Sequence, residues 1–197
     1  FLLALQLEHL DALEGMIDKI DRQIGTSVEP FRDAVALLPT IPGVNQLASQ
    51  AIVSEIGVDM SRFETAGHLL SWACMCPRND ESAGKRRSTR IRKGAPWLKD
   101  ILVQCAWAAT RTKATYLHAQ FVRIRARRGP KKAIVAVAAS ILTAAYHMLK
   151  NGVPYHDLGP QHFDSRDKQA QAKLLLLRLR NLGFTADFDS LKPIPDA

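Results

Sequence analysis

The stretch from Pro130 to Asn151 constrains the fold more than any other part of the chain. Ile134, Val137, Ala138, Ile141, Leu142, Ala145, Met148 and Leu149 recur at helical three–four spacing. Gly129-Pro130 breaks the chain before this run, and Lys150-Asn151-Gly152 is a good stop signal after it. The run is rich in alanine, which lets neighbouring helices approach closely. It therefore predicts the buried centre of a helical domain. Other helices must cover it.

The remaining apolar residues supply them. Leu3, Leu10, Leu13, Ile17, Ile20 and Ile24 form a seam through residues 1–25, with Gln6 its one polar entry. Charged residues fill the other faces, and the helix is expected to stop near Gly25. The seam has coiled-coil spacing but spans only about three heptads, so an ordinary amphipathic helix fits equally well. Phe31, Val35 and Leu38 predict a second helix over Val28–Leu38, with Pro30 in its first turn. Leu38-Pro39-Thr40-Ile41-Pro42-Gly43-Val44 then predicts a tight hairpin. Leu47, Ala48, Ala51, Ile52, Val53 and Ile56 give the next helix, ended by Gly57. Residues 37–57 thus resemble a helix–hairpin–helix module, with Gly43 as the candidate phosphate contact. Asn45 stands where a second glycine is usual, and a plain helical hairpin fits as well.

Further helices are expected over Phe63–Trp72 with Thr65 as its cap, from Leu98 to Ala109 after Pro96, and from Tyr116 to Arg125. A last helix is expected over Arg166–Leu182, capped by Asp164, with Ala172, Leu175, Leu176 and Leu182 facing inward. Phe184–Phe188 alternates weakly, at most a short strand, and Pro193-Ile194-Pro195 reads as a tail. The predicted class is all-α: a coiled-coil-like helix (1–27), a compact helical domain (28–157), and a C-terminal helix and tail (158–197).

Charge points to function. The net charge of +8 is unevenly spread. Residues 1–81 hold 5 bases and 12 acids, whereas residues 82–157 hold 16 bases against Asp100 and Asp157 alone. Solvated faces usually interleave both signs. A middle third this basic is an electrostatic footprint for nucleic acid. Its centre is 77–99, PRNDESAGKRRSTRIRKGAPWLK, in which six of the ten residues from Gly84 to Lys93 are cationic. This reads as a flexible positive loop docked on the helix that Pro96 starts. The candidate nucleic-acid ligands are Lys85, Arg86, Arg87, Arg90, Arg92, Lys93 and Lys99. Arg123, Arg125, Arg127 and Arg128 join them from the basic end of a later helix, within a binding stretch of 84–132. Arginine suits phosphate because its planar fork matches two oxygens.

Ser82 opens the loop in the turn Ser82-Ala83-Gly84. A hydroxyl among cations can attack a phosphodiester if its proton is taken and the developing charge is met. A serine beside glycine is also ordinary turn chemistry. Ser88 is the next candidate. Asp80 and Glu81 are adjacent and read as solvated. No carboxylate cluster with metal-ligand spacing, Gly-rich nucleotide loop or Ser-His-Asp pattern stands out. Cys74-Met75-Cys76 lacks the gap of zinc motifs, His68 stands alone, and no metal site is expected. Three cysteines do not make a secreted disulfide scaffold, and the first residues are too short an apolar run for a signal peptide. The expected compartment is the cytoplasm, with no membrane partner.

Several spaced elements together carry a family resemblance. Pro77, Ser82-x-Gly84-Lys85, Ile91-x-Lys93-Gly94 and Leu98-Lys99-x-x-Leu102 resemble the C-terminal domain of the IS110-type insertion-sequence transposases, also called the transposase-twenty or IS116-like domain, over roughly Leu37 to Tyr155. The resemblance implies DNA strand cleavage and exchange, with Ser82 at the position of the family's nucleophilic serine. It implies a RuvC-like N-terminal domain with an acidic Mg-binding cluster, reached through a helical linker corresponding to residues 1–25. Half the active site is then expected outside this chain, which opens on Phe1 and needs no cofactor of its own. Implied partners are DNA, a structured guide RNA and further copies of the chain. The sequence departs from the family at Gly94-Ala95 and Leu98-Lys99, where Gly-Asn and Leu-Arg are common; lysine keeps the charge but loses the fork. Two other classes fit the residues: a non-catalytic helix–hairpin–helix nucleic-acid module, and a coiled-coil scaffold whose basic face meets an acidic protein.

Overall fold

A computed structural model of the protein describes residues 1–185, apart from 79, 89, 95, 166 and 167; the side chains of 80, 86, 87, 164, 165 and 168–171 lie outside the description. The central run is the helix α7, Pro130–Asn151. Ala133, Val137, Ala138, Ile141, Leu142 and Ala145 along it are fully buried. Pro130 opens the helix, and Gly152 closes it in the left-handed conformation with its N–H on the Met148 carbonyl. α7 has the length and mean hydropathy (1.5) of a membrane span, but half of that window is buried by the helices around it.

Those helices are α2 (Arg32–Leu37), α3 (Gln46–Ile56), α4 (Ala66–Trp72), α5 (Pro96–Ala109) and α6 (Tyr116–Arg128). The fold is all-α, as the spacing predicts. α5 and α6 pack most extensively on α7, and α4 covers its flank. Thr65 caps α4 by accepting from the His68 N–H at 3.3 Å. Asp157 reaches back from the loop after α7 and accepts from the Tyr116 N–H at 3.0 Å. A carboxylate there complements the positive end of the α6 dipole. Tyr146, also on α7, is 1% exposed and donates its hydroxyl to the Phe63 carbonyl at 2.9 Å.

Several boundaries differ from expectation. α1 spans Leu2–Val28 and does not stop at Gly25. Thr26 and Ser27 bond back to the Arg22 and Gln23 carbonyls and carry the helix on. The expected helix over 28–38 divides into a 3-10 turn at Glu29–Phe31, α2, and a second 3-10 turn at Leu38–Thr40. Val35 and Leu38 enter the core, whereas Phe31 stays exposed. α4 begins only at Ala66, leaving the Phe63 ring to pack on Trp72 with centroids 5.7 Å apart. The last helical region is described as α8 (His162–Ser165) and α9 (Lys168–Asn181), on either side of positions 166 and 167. Asp164 falls inside α8. Of the four residues expected inward, Leu176 is buried, while Leu175 and Leu182 are exposed; among the described residues α9 packs chiefly against α8. Residues 186–188 of the suggested strand and the Pro193–Pro195 tail lie outside the described residues.

The main departure concerns 77–99. The expected loop contains a β-hairpin, β1 (Asp80–Ser82) and β2 (Lys85–Ser88), paired antiparallel. Ala83 and Gly84 form its two-residue turn with φ of 52° and 71°. Positive φ at both central residues matches the right-handed twist of the flanking strands. Pro77 bridges Ile91 at the hairpin's base, where the Arg78 N–H donates to the Arg90 carbonyl at 3.0 Å.

Candidate nucleic-acid interface

Local chemistry explains how the hairpin is held. Glu81 stands opposite Arg86, and Ser82 opposite Lys85. Ser88 is half-buried and its Oγ accepts from the Arg90 N–H at 3.2 Å. The return limb is pinned to the helices at two points. A β carbon on Gly94 would stand 2.4 Å from Cys74 Cβ, so only glycine allows that approach. Lys99 reaches from α5 to donate its ammonium to the Arg92 carbonyl at 2.9 Å. Lys99 thus anchors the loop backbone.

Ser82 is exposed at the end of β1, one residue before the turn. Lys85, Arg90, Arg92 and Lys93 are exposed as well. The side chains of Arg86 and Arg87 lie outside the described ones. Arg90, Arg92 and Lys93 come together with Arg78, Ser88 and Ile91 around a cleft of about 490 Å³. Arg90 and Ile91 also form a wall of a neighbouring apolar groove of about 820 Å³, where they meet Arg128, Lys131 and Lys132. The structure therefore joins the loop to the basic end of α6.

Other candidates stand apart. The Arg123 guanidinium lies 5.1 Å from the centroid of Phe163, and that of Arg125 5.5 Å from Phe121. These contacts tie both arginines to neighbouring rings. Arg127 and Arg128 are exposed in the last turn of α6. Gly43 lines a different cleft, between α3 and α5. With φ of 86°, it approaches so closely that a β carbon would meet the Ala109 nitrogen and Cys105 carbonyl at 2.4 Å. Asn45 caps α3, accepting from the Ala48 N–H at 2.8 Å. The glycine of this hairpin is used for packing on α5, and one of the helix's N–H groups is already taken.

Lys131 and Lys132 fall within the expected binding stretch 84–132 without being named as ligands, and Arg78 lies just before it. A signal for the lysines was present. They occupy the first turn of α7, where the helix dipole disfavours cations. Cations placed against a local preference suggest service to something outside the helix. Among the described residues, no group of three or more His, Cys, Asp or Glu could hold a metal ion. Cys105 is buried, and burial pushes its thiol above the ordinary value. It is a packing residue.

The geometry defines an all-α domain with a cationic hairpin and a cationic groove on one helical framework. Residues 35–122 match the Transposase IS116/IS110/IS902 family, and this stretch is a transposase domain of that family. It contains α3 to α5, the hairpin and Ser82. No curated protein matches the chain.

Proposed function

We propose that this chain carries the serine half of a DNA strand-exchange enzyme, with Ser82 as nucleophile. The observation that carries the reading is the placement of Ser82: exposed, beside a tight turn, paired in register with Lys85, on a hairpin whose base is lined by Arg78, Arg90, Arg92 and Lys93. In the step proposed, Ser82 Oγ loses its proton and bonds to phosphorus. One phosphoester bond breaks, and the sugar oxygen leaves with a proton. The cations meet the charge on the non-bridging oxygens.

The described residues offer no cluster to hold Mg²⁺, so no step here runs through it. The RuvC-like half that would bind Mg²⁺, the guide RNA and a cytoplasmic setting follow from the family resemblance and belong to the proposal. A purely non-catalytic helix–hairpin–helix reading is disfavoured by Gly43, whose close approach is to α5.

The test is a covalent adduct. In full-length protein with its RuvC-like half, cleaved DNA is expected to stay attached after denaturation and to map to the Ser82 peptide. Ser82→Ala is expected to abolish adduct and strand exchange while leaving binding affinity within about twofold, since one hydroxyl adds little to counterion-driven affinity. Recombination by the Ser82→Ala protein would move the chemistry elsewhere, with Ser88 next.

A further inference from the structure

We propose that the groove between α4, α6 and α7 holds the base of an unpaired nucleotide, while the flanking phosphates lie in the adjoining cleft at Arg90, Arg92 and Lys93. The proposal rests on the nucleic-acid reading above and specifies the form of nucleic acid it takes.

The groove floor is apolar, built from Leu70, Met75, Pro77, Val135, Ala136 and Ala139. Its rim is cationic, with Arg90, Arg128, Lys131 and Lys132 and no carboxylate among the described lining residues. A fitting ligand needs an apolar face with anions beside it. A paired duplex presents phosphates outward but keeps its base faces stacked inside. An extruded or single-stranded nucleotide presents both together.

The neighbouring cleft strengthens the match. Groove and cleft share Arg90 and Ile91 as a common wall. The Pro77–Ile91 bridge and the Arg78–Arg90 backbone hydrogen bond hold that wall in place. One strand can therefore set a base on one side of it and a phosphate on the other. Apart from the Cys76 thiol, the described uncharged side chains lining the groove carry no polar atom to read a base edge. The groove is thus indifferent to base identity, and its gain comes from covering a base face.

The test uses the 197-residue chain and two duplex probes of equal length. One is fully paired, and the other carries a single bulged 2-aminopurine. The wild-type chain is expected to bind the bulged probe about tenfold more tightly, within the range for seating one base on a protein surface, and 2-aminopurine emission should rise as the base leaves its stack. Ala136→Phe fills the groove and is expected to erase the preference and the emission change, leaving duplex affinity unaltered. Ala139→Leu, a milder filling, does the same in part if Ala136→Phe does not fold. Equal wild-type affinity for both probes overturns the groove assignment and leaves the nucleic-acid reading standing. So does full preference retained in folded filled variants. If those variants instead lower the sedimentation-derived mass without touching the preference, the occupant is an apolar, acidic helix such as α1 of a second copy, and the proposal is wrong. Binding of neither probe sinks the nucleic-acid reading itself.

Discussion

Gly43 sits where the turn before α3 meets the backbone of α5. Its proline-rich surroundings mark a turn, and the turn is there. The reason for glycine is the α5 backbone 2.4 Å from where a β carbon would stand. Gly43→Ala is therefore expected to destabilise the fold by about 2–3 kcal/mol, from strain at positive φ and overpacking together. At a temperature where the variant is folded, its nucleic-acid affinity should match wild type; a selective loss of affinity without loss of stability would restore the phosphate contact. Tyr155 gives a pH dependence. Burial, then the Asp157 carboxylate and Tyr116, push its phenol from 10.0 up to about 12. A raised phenol favours the neutral form in the folded state. Its contribution to stability is whole below pH 10 and is lost as pH climbs towards 12. Denaturant titrations of Tyr155→Phe should show a shallower alkaline fall over that window. Equal slopes would show that the phenol is not the group responsible.

Elements were legible where periodicity had an apolar face to act on. α5 begins at the Pro96 signal and α7 at Gly129-Pro130, and α7 buries all the residues that its spacing marks except Leu149, which is half-buried. The hairpin was not legible. Asp80-Glu81-Ser82 and Lys85-Arg86-Arg87-Ser88 contain no apolar residue, so no period of two is visible. What the backbone shows is an antiparallel ladder and a turn that Ala83 enters at positive φ. Burial along α9 also differs from the spacing, because spacing marks an apolar face without saying whether anything lies on it. The same holds for α1, which has no buried residue and exposes Leu3, Leu10, Leu13, Ile17 and Ile20. An apolar seam of this length is costly to leave in water. Self-association through α1 is expected, so deletion of residues 1–27 should reduce the sedimentation-derived mass to that of a single shortened chain. An unchanged oligomeric state would place the contacts elsewhere.

Across the molecule, charge is separated by element. α1 carries Glu8, Asp11, Glu14, Asp18 and Asp21 against Lys19 and Arg22. The hairpin, the end of α6 and the start of α7 are cationic. The sequence made this separation visible, but not which cations meet. Arg90 and Arg128 are 38 positions apart and share a groove only because the Pro77–Ile91 bridge folds the loop back over α7. Arg90, Arg92, Lys93, Arg128, Lys131 and Lys132 are all exposed around the two clefts. If these six neutralise one phosphate each, log K against log salt should fall with a slope of about −5 for duplex DNA. That corresponds to a loss of roughly a thousandfold between 50 and 200 mM salt. Replacing Arg90, Lys131 and Lys132 together with alanine should make the slope shallower by about 3, because counterion release counts contacts directly. Arg123→Ala serves as a control, since its guanidinium is engaged with Phe163, and it should leave the slope almost unchanged. A triple variant with the wild-type slope would remove the clefts from the interface, and a flat wild-type slope would remove nucleic acid from the function.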